Sequence, residues 1–177
     1  MRSPTPHRYH RRTTLALAVL VALSAGCGAA SERVGEAALE SLAEEDEEVD
    51  IDLDEDRMTA RDEDGNEASF GAADGIPEQL ADAVEVPAGF QPQNTFEATE
   101  DGRAGVIVSG LLEGAEPLGF IEELEANAQA GGWTTIERED GSGQLLLELE
   151  RGEETLGAQV VDNGAGASVT LILGGPA

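Results

Sequence analysis

The chain has 177 residues, and its 37 aspartates and glutamates far outnumber its 10 arginines, which gives a formal net charge of −27. A surface this acidic repels the phosphate backbone of nucleic acids, so we expect no DNA or RNA partner. Cys27 is the single cysteine in the sequence, which excludes a disulfide within the chain.

Charge is distributed unevenly along the chain. Residues 1–26 contain four arginines, both histidines, the single tyrosine and no acidic residue. Residues 27–177 contain all 37 acidic residues and the other six arginines, so these 151 residues have a net charge of −31. The two parts are therefore expected to have different roles.

Residues 1–26 are typical of an export signal. A basic stretch ends at Arg12, an apolar run covers residues 15–23, and small residues precede Cys27. The apolar run is much shorter than the roughly 20 residues that a membrane-spanning helix needs. We therefore expect a cleavable signal peptide rather than a permanent transmembrane anchor.

The segment 23–27, Leu-Ser-Ala-Gly-Cys, resembles the lipobox of prokaryotic lipoproteins. In that family the cysteine thiol receives a diacylglycerol and a peptidase cuts just before it, so the resemblance implies lipidation of Cys27, with acyl chains such as palmitate. Ser24 departs from the leucine that is usual three residues before the cysteine. Two or more acyl chains anchor a protein stably, since each buried methylene contributes about 0.8 kcal/mol. The alternative is an ordinary secretory signal with its cysteine at the junction.

The run Arg11-Arg12-Thr13-Thr14-Leu15 also resembles a twin-arginine export signal. Thr14 stands where that signal often has a bulky apolar residue. A general secretory signal with two adjacent basic residues is the alternative, so the export route stays open.

Residues 27–47 are predicted to form an acidic tether. Small residues follow Cys27, and apolar residues recur every four positions within a predicted helix over residues 32–46. The apolar stripe of this helix is thin. Six of the eight residues over 44–51 are acidic, which indicates a solvated segment.

Residues 48–72 are predicted to form a small acidic β-meander of three strands. Val49 to Asp54 alternates apolar and acidic residues, which indicates a strand with one solvated face. Asp64-Gly65 predicts a hairpin between the second and third strands. Because isolated hairpins are marginal in water, we expect the meander to pack against another part of the molecule.

Residues 73–93 are predicted to be a connector containing three prolines and a short helix over residues 77–83. Residues 94–177 are predicted to be the compact domain. Its strongest helix covers residues 116–130 and ends at Gly131-Gly132. Trp133 follows at once, and we expect it to be a core residue beneath that helix rather than a binding aromatic.

Six strands are predicted in the compact domain, over residues 94–99, 104–112, 133–138, 144–151, 155–161 and 168–173. The turns between consecutive strands are short, which predicts antiparallel pairing. The predicted fold class is therefore α+β: an antiparallel sheet with one packed helix in the C-terminal domain, preceded by the acidic β-meander and the tether helix.

Residues 27–177 lack most of the side chains that perform catalysis. They contain no histidine, lysine or tyrosine, and their single thiol is the one that the lipobox resemblance assigns to lipidation. This removes the usual general bases and nucleophiles, and zinc sites built from histidine and cysteine. A glycosidase needs only a carboxyl pair, but five aromatic residues are a poor supply for a sugar-binding cleft. We expect no catalytic residue, no cofactor and no enzymatic activity.

Divalent-cation binding is the other chemistry that carboxylates support. The weak candidate ligands are Asp50, Asp52, Asp54 and Asp56, whose spacing is that of part of a calcium loop. An EF-hand also needs glycine at the sixth loop position, and neither frame starting at Asp50 or Asp52 supplies it. Along a strand the first three carboxylates share one face roughly 6–7 Å apart. A solvated acidic face is the alternative to weak calcium binding.

The acid excess and the absence of lysine are typical of proteins from saline environments, where high ionic strength screens self-repulsion. A high-GC genome equally favours arginine over lysine. Composition does not separate these two explanations.

Together these observations predict a non-catalytic, lipid-anchored cell-envelope protein. The lipid on Cys27 is expected to hold it at the membrane, with the domain on the extracytoplasmic side and an unidentified envelope protein as its partner. The alternative is a ligand- or divalent-cation-binding lipoprotein accessory to a transporter or envelope complex. The layout resembles that of many prokaryotic lipoproteins, and this wider resemblance implies no activity.

Overall fold

The computed structural model describes residues 50–54, 57–62, 64–141, 143–162, 164 and 166–177. The predicted signal peptide, Cys27, the predicted tether helix and Asp56 lie outside these residues.

Nine strands and two helices are present in the described residues. The strands are β1 (Asp50–Asp54), β2 (Arg57–Arg61), β3 (Glu67–Ala72), β4 (Phe90–Glu100), β5 (Arg103–Leu112), β6 (Thr134–Gly141), β7 (Gln144–Arg151), β8 (Glu154–Asp162) and β9 (Ala167–Pro176). The helices are α1 (Glu78–Ala83) and α2 (Pro117–Ala130). All nine strands form one sheet in the order β1-β2-β3-β4-β5-β9-β8-β7-β6, and every neighbouring pair is antiparallel.

The predicted antiparallel sheet is confirmed, but the described chain is mostly β, more so than the predicted α+β class. The difference arises because the meander extends the sheet of the C-terminal strands. Strand β3 pairs with β4, with Phe70 opposite Phe96 and Ala68 opposite Ala98. These apolar cross-strand pairs stabilise the junction and remove the edge that β4 would otherwise expose.

The two faces of the sheet differ because successive side chains of a strand point to opposite sides. Residues opposite one another in antiparallel neighbours share a face, so the register assigns every described strand residue to one side. The buried apolar strand residues all lie on the same side, which we call the core face. They are Phe90, Val106, Val108, Leu112, Leu145, Leu147, Leu149, Leu156, Ala158, Val160, Ala167, Val169, Leu171 and Leu173.

Helix α2 contributes four buried side chains to the same hydrophobic cluster: Phe120, Ile121, Leu124 and Ala128. Pro117 occupies the first turn, where its missing N–H leaves no bond unmade. The Phe120 ring lies 6.3 Å from that of Phe90, centroid to centroid. Leu80 and Ala83 of α1 and the following Val84 belong to the cluster as well.

The end of α2 has the hydrogen bonds of a Schellman motif, which places Trp133. Gly132 has a φ of 87°, and its N–H donates to the Gln129 carbonyl at 3.1 Å. The Trp133 N–H donates to the Ala128 carbonyl at 3.1 Å. This pattern uses the left-handed conformation that glycine adopts without strain. The chain therefore turns back sharply, and Trp133 enters the core directly after the helix.

Neither helix in the described part of the chain combines the length and the apolar character needed to cross a bilayer.

Candidate functional site

Asp50, Asp52 and Asp54 are exposed on β1 and share one face, as their alternation predicts. The register sets Asp50 opposite Arg61, Asp52 opposite Thr59 and Asp54 opposite Arg57. Cross-strand arginines partly neutralise the row of carboxylates, which weakens its attraction for a cation. Within the described ranges, no cluster of three or more carboxylate, histidine or cysteine side chains is arranged to hold a metal ion.

Asp50, Arg61 and Glu67 form a row of charged side chains across β1, β2 and β3. The Arg61 Nε donates to Glu67 Oε2 at 3.1 Å, and the register sets the two residues opposite one another. The pKa of the Arg61 guanidinium is raised first by its hydrogen bond to Glu67, then by the charges of Glu67 and Asp50, against a small opposing effect of burial. Because both partners are exposed, the pair adds little stability, and its main effect is to favour the register of β2 on β3.

The turn between β2 and β3 is held by Asp62 and Asn66. Asp62 Oδ1 accepts the Asn66 backbone N–H at 2.8 Å, and Asp62 Oδ2 accepts the Asn66 side-chain amide at 2.8 Å. Burial raises the pKa of Asp62, but these bonds and backbone N–H groups of Asp64 and Gly65 outweigh it, so the pKa is lowered. Asn66 Oδ1 accepts the Asp101 N–H at 3.0 Å, which ties this turn to the β4–β5 turn.

Trp133 is a core residue, which confirms the sequence prediction. It is 3% exposed, and its indole Nε1 donates to the Ala83 carbonyl at 3.0 Å. The Arg151 guanidinium lies 4.5 Å from the ring centroid and also donates to Glu154 at 2.8 Å. The indole thus joins α1, the end of α2 and the β7–β8 hairpin, and it is not available to a ligand.

Two recesses in the described residues contain pairs of carboxylates. The larger, of about 330 Å³, lies at the β6–β7 turn beside Glu139 and Asp140, and both of these residues are exposed. The smaller, of about 70 Å³, lies beside Glu67 and Glu97, and its volume is far below that of an ordinary ligand pocket.

The side of the sheet opposite the core face is the most unusual surface of the molecule. We call this side of β1–β5 and β9 the open face. One continuous row of large apolar side chains crosses it, each residue opposite the next in the register: Leu53, Met58, Phe70, Phe96, Ile107 and Ile172. We call these six residues the apolar row. Leu53, Phe70 and Ile172 are 68%, 39% and 44% exposed, respectively.

A row of small side chains runs beside the apolar row on the open face. It consists of Ala60, Ala68, Ala98, Gly105 and Gly174. Among the described residues of these six strands, the register assigns two charged side chains to the open face, Glu100 and Arg103, and they lie opposite one another at one end. A chain with 37 acidic residues thus keeps this face without net charge.

Acidic residues return at the far end of the same side of the sheet. On β6 and β7 the register places Glu137 opposite Glu148, with Glu139 and Glu150 two residues further along their strands. We call these four residues the acidic end. Strand β8 separates it from the open face. The two parts have opposite character, because one is apolar and has no net charge while the other carries four carboxylates.

The open face was not among the features predicted from the sequence, although the sequence contains a signal for it. Strands covered on one face alternate apolar and polar residues, whereas strands covered on both faces read as continuous apolar runs. Val106-Ile107-Val108 and Leu171-Ile172-Leu173 are such runs. The connection between these runs and Leu53, Met58 and Phe70 depends on the order of the strands in the sheet, which local periodicity does not encode.

Comparison of the chain with models of known protein families, with curated proteins and with solved structures finds no match in any of the three. The candidate surface therefore rests on the geometry of the described strands alone.

Proposed function

We propose that the chain is a non-catalytic, lipid-anchored protein of the cell envelope that presents its sheet domain for interaction through the open face. The observation that carries the interaction role is the apolar row, because soluble domains rarely leave so large a contiguous apolar surface without a partner. The anchoring role is supported by the lipobox resemblance of residues 23–27.

We propose that the presented domain has an α+β arrangement, in which α2 packs on the core face. Three observations support this arrangement. Phe120 and Phe90 are in ring contact, the buried residues of α2 belong to the sheet's hydrophobic cluster, and Arg138 of β6 donates to Glu125 of α2 at 2.7 Å. Helix α2 covers the core face at β6–β8, and on β1 and β2 the same side carries exposed charged residues, so the open face is the apolar side of the sheet left for a partner.

The tether sets how far the domain extends from the membrane. Cys27 is separated from β1 by the 22 residues 28–49. A fully extended chain of this length spans at most about 75–80 Å. Electrostatic repulsion between the −31 chain and an anionic lipid surface favours an extended position of the domain, while the proposed acyl chains prevent its loss.

Replacement of Cys27 by serine tests the anchoring role. Serine has no thiol to receive diacylglycerol, so the Cys27→Ser chain lacks the acyl anchor. We therefore expect carbonate washing to release it from membranes into the soluble fraction. Ser24→Leu, which restores the residue usual at that lipobox position, is the matched control and should stay in the membrane fraction. Retention of Cys27→Ser in the washed membranes, after cleavage of its signal, would contradict the proposal.

A further inference from the structure

We propose that the partner of the open face is a second copy of this chain, and that two copies pack sheet against sheet through their apolar rows. This inference rests on the proposed function, since it names the partner of the same surface. The packing is the face-to-face arrangement of a β-sandwich, in which two sheets lie about 10 Å apart and interdigitate their apolar side chains.

The strands themselves have the composition of strands covered on both sides. In Val106-Ile107-Val108 the two valines are buried on the core face and Ile107 points to the open face. In Leu171-Ile172-Leu173 the outer residues are likewise buried, whereas Ile172 is 44% exposed. Continuous apolar runs of this kind favour a second layer over the open face.

The size of the open face is that of a weak dimer interface. Six strands spaced about 4.8 Å apart, each with about 14 Å in the apolar and small-residue rows, give an apolar area of about 400 Å² per copy. Two such faces bury roughly 800 Å², which is in the range of weak and transient contacts. A weak dimer is therefore expected, strengthened by attachment of both copies to one membrane.

Charge on the open face is compatible with pairing to itself. Its two charged residues, Glu100 and Arg103, lie opposite one another within one copy, so each copy brings no net charge to the contact. A dimer of this kind has a two-fold axis lying between the sheets. If this axis runs parallel to the strands and midway between β3 and β4, β1 of one copy lies over β9 of the other.

The same axis keeps the acidic ends apart. In the strand order, β7 lies two positions beyond β9. It therefore extends two strand positions past the β1 edge of the second copy, where no described strand of that copy faces it. Glu148 and Glu137 of one copy then face solvent rather than the carboxylates of the other. The acidic end thus favours this axis over one perpendicular to the strands, which would set the two acidic ends against each other.

A lipid surface fits the open face less well. Interfacial elements that lie on anionic membranes have lysine or arginine around their apolar surface, whereas the open face has Arg103 alone and the chain has no lysine. A twisted sheet also makes poor contact with a planar bilayer.

Photo-crosslinking in intact membranes tests the dimer with the full chain. Two forms of the chain with different epitope tags are co-expressed, both with p-benzoylphenylalanine in place of Phe70. This residue is 39% exposed in the apolar row, and Leu118 of α2, which is 43% exposed, is the matched control position. With the photo-reactive residue at position 70, we expect irradiation to give a product of twice the chain mass that carries both tags. With it at position 118, we expect no such product.

Introduction of a charge into the apolar row provides the second measurement. Ile172→Glu places a carboxylate in the apolar row, so we expect it to reduce the doubly tagged product from position 70 at least tenfold. Leu118→Glu should leave the product unchanged. Leu53→Glu, at the 68% exposed end of the row, is a second variant with little risk to folding. Fluorescence of the single tryptophan, Trp133, checks that each variant is folded.

The outcomes separate the dimer from the wider proposal. A product joining position 70 to a different protein overturns the dimer and leaves the open face as an interaction surface. A product within one chain that joins position 70 to a residue outside the nine strands overturns both, because part of the same chain then covers the face. Absence of any product, or a doubly tagged product that survives both Ile172→Glu and Leu53→Glu, also overturns the dimer.

Discussion

At the residue scale, Gly110 is the position where packing tolerates least change. It lies on the core face of β5 opposite Pro92, next to the register shift between Pro92 and Asn94 in β4. A Cβ atom at this position would overlap the carbonyl oxygen of Gln91 and press on the Phe90 ring. The irregularity of β4 therefore requires the close approach of backbone that glycine alone permits.

Gly110→Ala is expected to destabilise the domain by about 2–4 kcal/mol, because the neighbouring backbone must shift to admit the methyl group. The matched control is Gly119→Ala in α2, where a Cβ meets nothing within 4 Å. That change should be neutral or stabilise by up to about 1 kcal/mol, since alanine is the better helix former. Urea unfolding monitored by Trp133 fluorescence measures both. Equal stability of the two variants would show that the approach of Gln91 to Gly110 is not tight.

At the scale of elements, two turns are joined by a short polar network. Asp62 accepts two hydrogen bonds from Asn66, and Asn66 accepts one from the Asp101 N–H. Asp101 itself has a φ of 51°, a conformation that aspartate tolerates better than most residues. The network holds the β2–β3 hairpin against the β4–β5 hairpin, so it supports the first strands of the open face.

The lowered pKa of Asp62 makes this support dependent on pH. A carboxylate whose pKa is lower in the folded state stabilises above its unfolded pKa of about 3.9, and the stabilisation is lost as pH falls through the folded pKa. Asp62→Asn should therefore reduce stability by about 1 kcal/mol at pH 7, and the difference from wild type should vanish in acid below both pKa values. Thermal melts from pH 7 to pH 2 measure it, with the exposed Asp64→Asn as the control in the same turn. A difference that persists unchanged at pH 2 would contradict the assignment.

Local patterns predicted the elements better than their assembly. The two-residue period of Val49 to Asp54, the Asp64-Gly65 turn and the Gly131-Gly132 helix end each encode a structure within a few residues, and the described elements agree with them. The pairing of β5 with β9 joins segments about 60 residues apart, and no turn between them specifies it. The contribution of the meander to one large sheet, and hence the open face, depends on such long-range pairing.

At the scale of the whole molecule, the net charge of −31 over residues 27–177 opposes both the compact fold and the association of two copies. The described strands separate this charge spatially. Carboxylates occupy the region of Asp50 to Asp54, the acidic end and the exposed helix surface, whereas the open face has none except Glu100. The apolar contact can therefore form without enclosing the acidic residues.

Salt should stabilise the molecule by screening this self-repulsion. The Debye length falls from about 30 Å at 0.01 M to about 8 Å at 0.15 M, so most of the effect is expected in this range. We expect the melting temperature to rise by several degrees between these concentrations of sodium chloride. Choline chloride at equal ionic strength is the control and should act equally, since it binds no specific cation site. A flat melting temperature would contradict the role of charge repulsion.

The intact mass of the chain purified from membranes tests most directly whether the molecule is anchored through Cys27. The proposal predicts a chain that begins at residue 27 and has the added mass of a diacylglyceryl group on that cysteine, with or without a further acyl group on its amine. Fragmentation should place the added mass on the first residue. A mature chain with an unmodified Cys27 thiol, or one that begins at a different residue, would contradict the account.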